Sequence, residues 1–186
     1  MEKITSESGF TFDTCIGIKN YENPNFGSLL STRINFENST IHICSQTVFE
    51  ASQLGYDVYS VTGQIKKSTG AKVVTRAITE EIQDSADYLE SVYPTLHYGD
   101  SQILAYSMAM GTTLITCDKG LAEVAKISGA NVINPDLLPC DKIRQNVKSK
   151  MQKIVQRVRG RHSETKQKVK SLALKPGQKI VWGSFV

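Results

Sequence analysis

Thr113-Leu-Ile-Thr-Cys-Asp-Lys-Gly-Leu-Ala-Glu-Val-Ala-Lys-Ile-Ser-Gly-Ala-Asn-Val-Ile-Asn-Pro135 holds a strand, a helix and a second strand in one short stretch. Thr113-Leu-Ile-Thr116 is β-branched and apolar. Residues 119–128 carry Leu121 and Val124 at helical spacing, and Gly129 stands where a closing glycine is expected. Asn131-Val-Ile-Asn134 follows and is stopped by Pro135. A strand–helix–strand order argues for a parallel sheet covered by helices.

The same alternation extends upstream. Phe10-Thr-Phe-Asp13, Ile41-His-Ile-Cys44 and Ala71-Lys-Val-Val-Thr75 read as strands, with helices predicted over 48–54, 78–92 and 98–110. Ser45 is the expected N-cap of the first of these, and Ile103, Leu104 and Met108 the buried stripe of the last. Residues 19–36 are interrupted by Pro24 and Gly27. The expected fold is α/β, a three-layer α/β/α sandwich around a central parallel sheet, over residues 8–138.

The net charge of +4 averages two unlike parts. Residues 1–141 hold nine Lys/Arg against 17 Asp/Glu, whereas residues 142–186 hold 13 Lys/Arg against Glu164 alone. Glu2 and Glu7 fall where a signal peptide would need an apolar run. The most apolar stretch, residues 103–115, is broken by Ser107, Gly111, Thr112 and Thr113 and is too short for a membrane span, which needs about 20 residues. A cytoplasmic location is expected. Cys15, Cys44, Cys117 and Cys140 form no C-x-x-C pair, so buried reduced thiols are expected rather than a zinc or redox site. His42 is expected to be packed, and His97 and His162 lack partners at metal-ligand spacing. No phosphate-binding glycine loop is present.

Ligands of open parallel sheets sit beyond the carboxyl ends of the strands, where strand order reverses. Asp13 closes the first strand, Asp118 follows the fourth, Glu50 lies early in the helix after the second, and Asp100 opens the helix before the fourth. These four acidic residues are expected to converge on one rim. Clustered carboxylates repel and raise one another's pKa, so they call for a cation. An all-oxygen set suits Mg²⁺ or Mn²⁺, with Thr14, Ser101 and Thr116 as candidates to orient the carboxylates. Read singly, Asp100 and Asp118 also suit helix N-caps, and Glu50 a solvated face.

Phe12-Asp-Thr14, Val48-Phe-Glu50, Gly99-Asp-Ser-Gln-Ile-Leu-Ala105, Leu114-Ile-Thr-Cys-Asp-Lys-Gly-Leu121 and Val132-Ile-Asn-Pro-Asp136 together resemble the PIN-domain nucleases. That resemblance implies an α/β/α sandwich and metal-dependent endonucleolytic cleavage of RNA through an acidic Mg²⁺ or Mn²⁺ site. Such enzymes act as toxins of toxin–antitoxin pairs or in RNA processing. By position, Asp13, Glu50, Asp100 and Asp118 match the family's acidic residues, and Thr116 the hydroxyl before the last of them. Many relatives carry Asn two residues after the first Asp, where this chain has Cys15. The implied partners are RNA, a second copy of the chain, and an antitoxin or ribonucleoprotein.

The resemblance does not cover residues 139–186. There a basic amphipathic helix is expected to about residue 159, with Val147, Met151, Ile154, Val155 and Val158 on one side. Lys148, Lys150, Lys153, Arg157, Arg159 and Arg161 are the candidate RNA contacts, since an acidic site repels phosphate and a separate basic surface recovers affinity. The competing expectation is a non-catalytic module of the same fold that binds RNA or protein.

Overall fold

The computed structural model describes residues 3–137; the predicted basic extension lies outside them. Five strands form one sheet: β1 (Phe10–Phe12), β2 (Thr40–Cys44), β3 (Lys72–Arg76), β4 (Thr113–Ile115) and β5 (Val132–Ile133). Their order is β3-β2-β1-β4-β5 and every pairing is parallel. Strand order therefore reverses between β1 and β4, held in register by Phe10 opposite Thr113 and Phe12 opposite Ile115.

Side chains alternate across the sheet, and this builds two cores. Phe10, Phe12, Ile41, Ile43, Ile115 and Ile133 point to one face. There they meet Ile16 of α1 (Thr14–Glu22), Leu30 of α2 (Pro24–Ser31) and Val61 and Ile65 of α4 (Val58–Thr69). Phe36 caps this layer, with its ring edge-on to Phe10 at 5.1 Å. Cys44 and Leu114 point the other way, toward α5 (Glu80–Val92), α6 (Tyr98–Ala109) and α7 (Lys119–Ile127). Each fully buried Phe or Ile contributes about 1.5–3 kcal/mol of apolar transfer energy, so the two layers fix the sandwich. The remaining helix, α3 (Ser45–Gln53), runs from the end of β2 and packs against α1 and α6.

Several local expectations shift. Pro24 starts a helix instead of breaking one: it sits at the first position of α2, where its missing N–H is no loss, and Asn23 Oδ1 accepts from Asn25 N at 3.2 Å. Residues 58–69 form a helix absent from the periodicity, capped by Asp57, which accepts from Ser60 N at 2.9 Å, and closed by Gly70 at φ 73°. Ser45 is not a cap, because α3 begins on it and its hydroxyl instead accepts from Ile78 N at 3.1 Å. Met108 is 42% exposed and leaves the buried stripe of α6. Residues 101–107 of that helix are all buried, because the sheet lies on one side of it and α5, α3 and α7 pack around it. His42 is packed, its Nδ1 3.0 Å from the Tyr106 hydroxyl.

Candidate active site

Asp13 emerges directly from β1 and serves as N-cap of α1. Its N–H donates to the Ile115 carbonyl at 3.1 Å, which fixes it at the seam between β1 and β4. The carboxyl is 4% exposed. Oδ2 accepts from Thr116 Oγ1 at 2.5 Å and from Cys15 Sγ at 3.0 Å. Burial raises its pKa above the ordinary carboxylate value, the Cys15 and Thr116 bonds oppose that rise, and the charge of Glu50 adds to it. Cys15 thus supplies an orienting donor to Asp13 where the family commonly has Asn.

Glu50 projects from α3 and is held from two sides. Its Oε2 accepts from Thr14 Oγ1 at 2.5 Å, and its Oε1 from Gln46 Nε2 at 2.9 Å, one turn back on the same helix. It is therefore not a simply solvated residue. Gly99 makes this possible: a Cβ there would lie 2.0 Å from Glu50 Oε1.

Asp100 stands in the first turn of α6, inside the helix, and is not its cap; that position belongs to His97. Its carboxyl is pushed up to about 6 by burial first, then by the charges of Asp13, Asp118 and Glu50, with His97 opposing. Asp100 thus lies within electrostatic reach of all three other carboxylates. Asp118 does act as a cap, Oδ1 accepting from Leu121 N at 2.8 Å. Its own N–H donates to Thr116 Oγ1 at 2.9 Å, so one threonine hydroxyl links Asp13 to the loop that carries Asp118.

Ser101 does not orient these carboxylates. It is buried, and its hydroxyl donates to the Tyr98 carbonyl at 2.7 Å, back into its own helix. The candidate RNA contacts Lys148, Lys150, Lys153, Arg157, Arg159 and Arg161 lie outside the described residues.

The expectation of separate buried thiols fails for two cysteines. Cys44 is buried, but Cys15 and Cys117 are half-buried and touch across the β1–β4 seam. The Cys117 N–H donates to Cys15 Sγ at 3.3 Å. The neighbouring Cys117 side chain and burial push Cys15 up, while Cys117 is lowered, chiefly by Cys15 and further by Lys19. Lys19 also pairs with Asp136 at 3.4 Å. Positions 15 and 117 lie too far apart in sequence for spacing to signal the contact; only the pairing of β1 with β4 does so.

No His, Cys, Asp or Glu group of three forms a ready metal cage among the described residues. Of the four carboxylates Asp13 is buried, Glu50 and Asp100 are half-buried and Asp118 is exposed.

No protein-family profile matches the sequence, and no curated protein matches it significantly. Solved structures do. VapBC2 from Rickettsia felis, bound to a DNA fragment from its promoter, is 13% identical, covers 70% of this chain and 98% of its own, and superposes with a TM-score of 0.50. FitAcB from Neisseria gonorrhoeae is 19% identical over 69% of this chain and 99% of its own, at 0.47. A toxin–antitoxin complex from Klebsiella pneumoniae is 21% identical over 68% and 98%, at 0.48. No helix among the described residues is long and apolar enough to cross a membrane. The sheet order, the two helical layers and the Rickettsia superposition agree, and this chain has a PIN-like α/β/α fold.

Proposed function

We propose that this chain is a divalent-metal-dependent endoribonuclease, acting in RNA processing or as the toxin of a toxin–antitoxin pair. The observation that supports it most is the electrostatic coupling of Asp100 to Asp13, Asp118 and Glu50, its carboxyl pushed up to about 6 by burial and then by those three charges, with Asp13 at the strand-order reversal. A scaffold gains nothing from four mutually repelling groups, and strongly perturbed carboxyls in a cleft mark chemistry more often than structure.

The donor set fits Mg²⁺ or Mn²⁺, since it is all oxygen and carries a charge that a dication would relieve. Bound there, such an ion would act as a Lewis acid, making a hydroxide nucleophile available near neutral pH and stabilising the leaving oxygen of a phosphodiester. Asp13, Glu50, Asp100 and Asp118 would hold it. Thr116 and Cys15 fix the rotamer of Asp13, while Thr14 and Gln46 fix that of Glu50. Preset ligands need no reordering when substrate arrives. The basic residues 142–161 would gather single-stranded RNA that the acidic cleft alone repels. A second copy of the chain, an antitoxin or a ribonucleoprotein is the expected protein partner.

The test is cleavage of labelled single-stranded RNAs in Mn²⁺, Mg²⁺ or EDTA, by the intact chain and by Asp13→Asn and Asp100→Asn. Cutting that EDTA stops and both variants lose is the expected result. Intact RNA under every metal, with tight and salt-sensitive binding, would replace the enzyme with a binding module on the same fold.

A further inference from the structure

We propose that Cys15 and Cys117 are an oxidisable dithiol that closes to a reversible intramolecular disulfide beside the acidic cleft. Cys15 lies in the first turn of α1 and Cys117 in the turn between β4 and α7, so both leave neighbouring parallel strands at the same end of the sheet. The Cys117 N–H reaches Cys15 Sγ at 3.3 Å, which sets the Cys15 sulfur directly against the backbone of Cys117. A disulfide asks the sulfurs to close to about 2.05 Å, a movement that side-chain rotation on two turns can supply. Both cysteines are partly exposed, in contrast to buried Cys44.

The oxidant is a hydroperoxide. The Cys117 sulfur attacks the peroxide oxygen, the O–O bond breaks, and the departing oxygen takes the thiol proton, leaving a sulfenic acid at Cys117 and one water. The Cys15 sulfur then attacks the sulfenic sulfur. The S–O bond breaks, the S–S bond forms, and a second water carries off the Cys15 proton. The thiols have given up two electrons and hydrogen peroxide has become water. Reduction by an external thiol reverses the step.

The S–H that Cys15 donates to Asp13 Oδ2 disappears in the disulfide, so oxidation removes one of the two side-chain donors that hold Asp13. This consequence for metal binding rests on the function proposed above; the disulfide itself does not.

Intact protein, reduced and then treated with hydrogen peroxide, should lose two of its four thiols. Its mass should fall by about 2 Da, and digestion should yield a Cys15–Cys117 cross-linked peptide that dithiothreitol separates. In Cys15→Ser, a sulfenic acid should accumulate at Cys117 and be trapped by dimedone. Retention of all four thiols, or a cross-link through Cys44 or Cys140, overturns the proposal. The rise in melting temperature with Mn²⁺, compared before and after oxidation, reads the coupling separately. A smaller rise after oxidation supports it and an equal rise refutes it. No rise in either form refutes the metal site, while the mass result still decides the disulfide.

Discussion

The seam between β1 and β4 carries two buried polar clusters, and they are opposites. Toward one end, Thr11 Oγ1 meets Thr112 Oγ1 at 2.6 Å, and Ser107 Oγ donates to the Thr112 carbonyl at 3.0 Å. Every member is neutral and has a partner within the cluster. Toward the carboxyl ends, Thr116 and Cys15 hold Asp13, a buried carboxylate whose nearest charged neighbours include further carboxylates. The first cluster closes upon itself and stabilises the sheet. The second is organised but electrostatically incomplete, so it weakens the fold.

The contrast predicts separable phenotypes. Thr116→Val should fold normally and lose roughly 10–100-fold in RNA cleavage or metal affinity, the usual cost of removing a partner that orients a ligand; kinetics alongside a melting curve would show it. Gly99→Ala should act on the same cleft by displacing Glu50, whose Oε1 lies 2.0 Å from the new Cβ position. We expect about a tenfold loss of cleavage, read as a drop in kcat with the circular dichroism spectrum intact. Thr112→Val should do the reverse. It strands the hydroxyl of Thr11 and should cost about 1–3 kcal/mol in a urea titration, with cleavage per folded molecule unchanged.

The smallest effect is the one with an unusual sign. Asp100 has a folded pKa of about 6 against 3.8 for the free group. The unfolded chain therefore ionises first as pH rises, and this residue's contribution to stability is present below about pH 4 and lost by about pH 6. Without metal, Asp100→Asn should stabilise the fold at pH 7. The full shift would correspond to about 3 kcal/mol, and partial solvation brings this to about 1 kcal/mol. A destabilised variant at pH 7 would mean that the cleft is not under charge repulsion at all.

Thr14 and Cys15 show why part of the site could be read and part could not. Thr14 follows a strand-terminal carboxylate and carries a hydroxyl, which marks it as a possible orienting group, and it binds Glu50 from 36 positions away. Ser101 carries the same label and satisfies its own helix instead. Cys15 offers no such signal, because a thiol donor to Asp13 and a contact with Cys117 exist only once β1 and β4 are paired.

The sequence by itself determined the α/β alternation, five strands near their observed positions, and the four acidic candidates, Asp13 and Asp118 just beyond strands and Glu50 and Asp100 on helices. Those follow from side-chain period and from local turn chemistry, which act over a few residues. It left residues 58–69 unassigned, because that helix has few apolar positions and is stabilised by Asp57, Gly70 and the packing of Val61 and Ile65. Tertiary structure alone decided which carboxylates feel one another, which hydroxyls serve them, why position 99 must be glycine, and that two distant thiols meet. Each of these depends on the reversal of strand order at β1 and β4, a long-range choice made by two hydrophobic layers closing on one sheet.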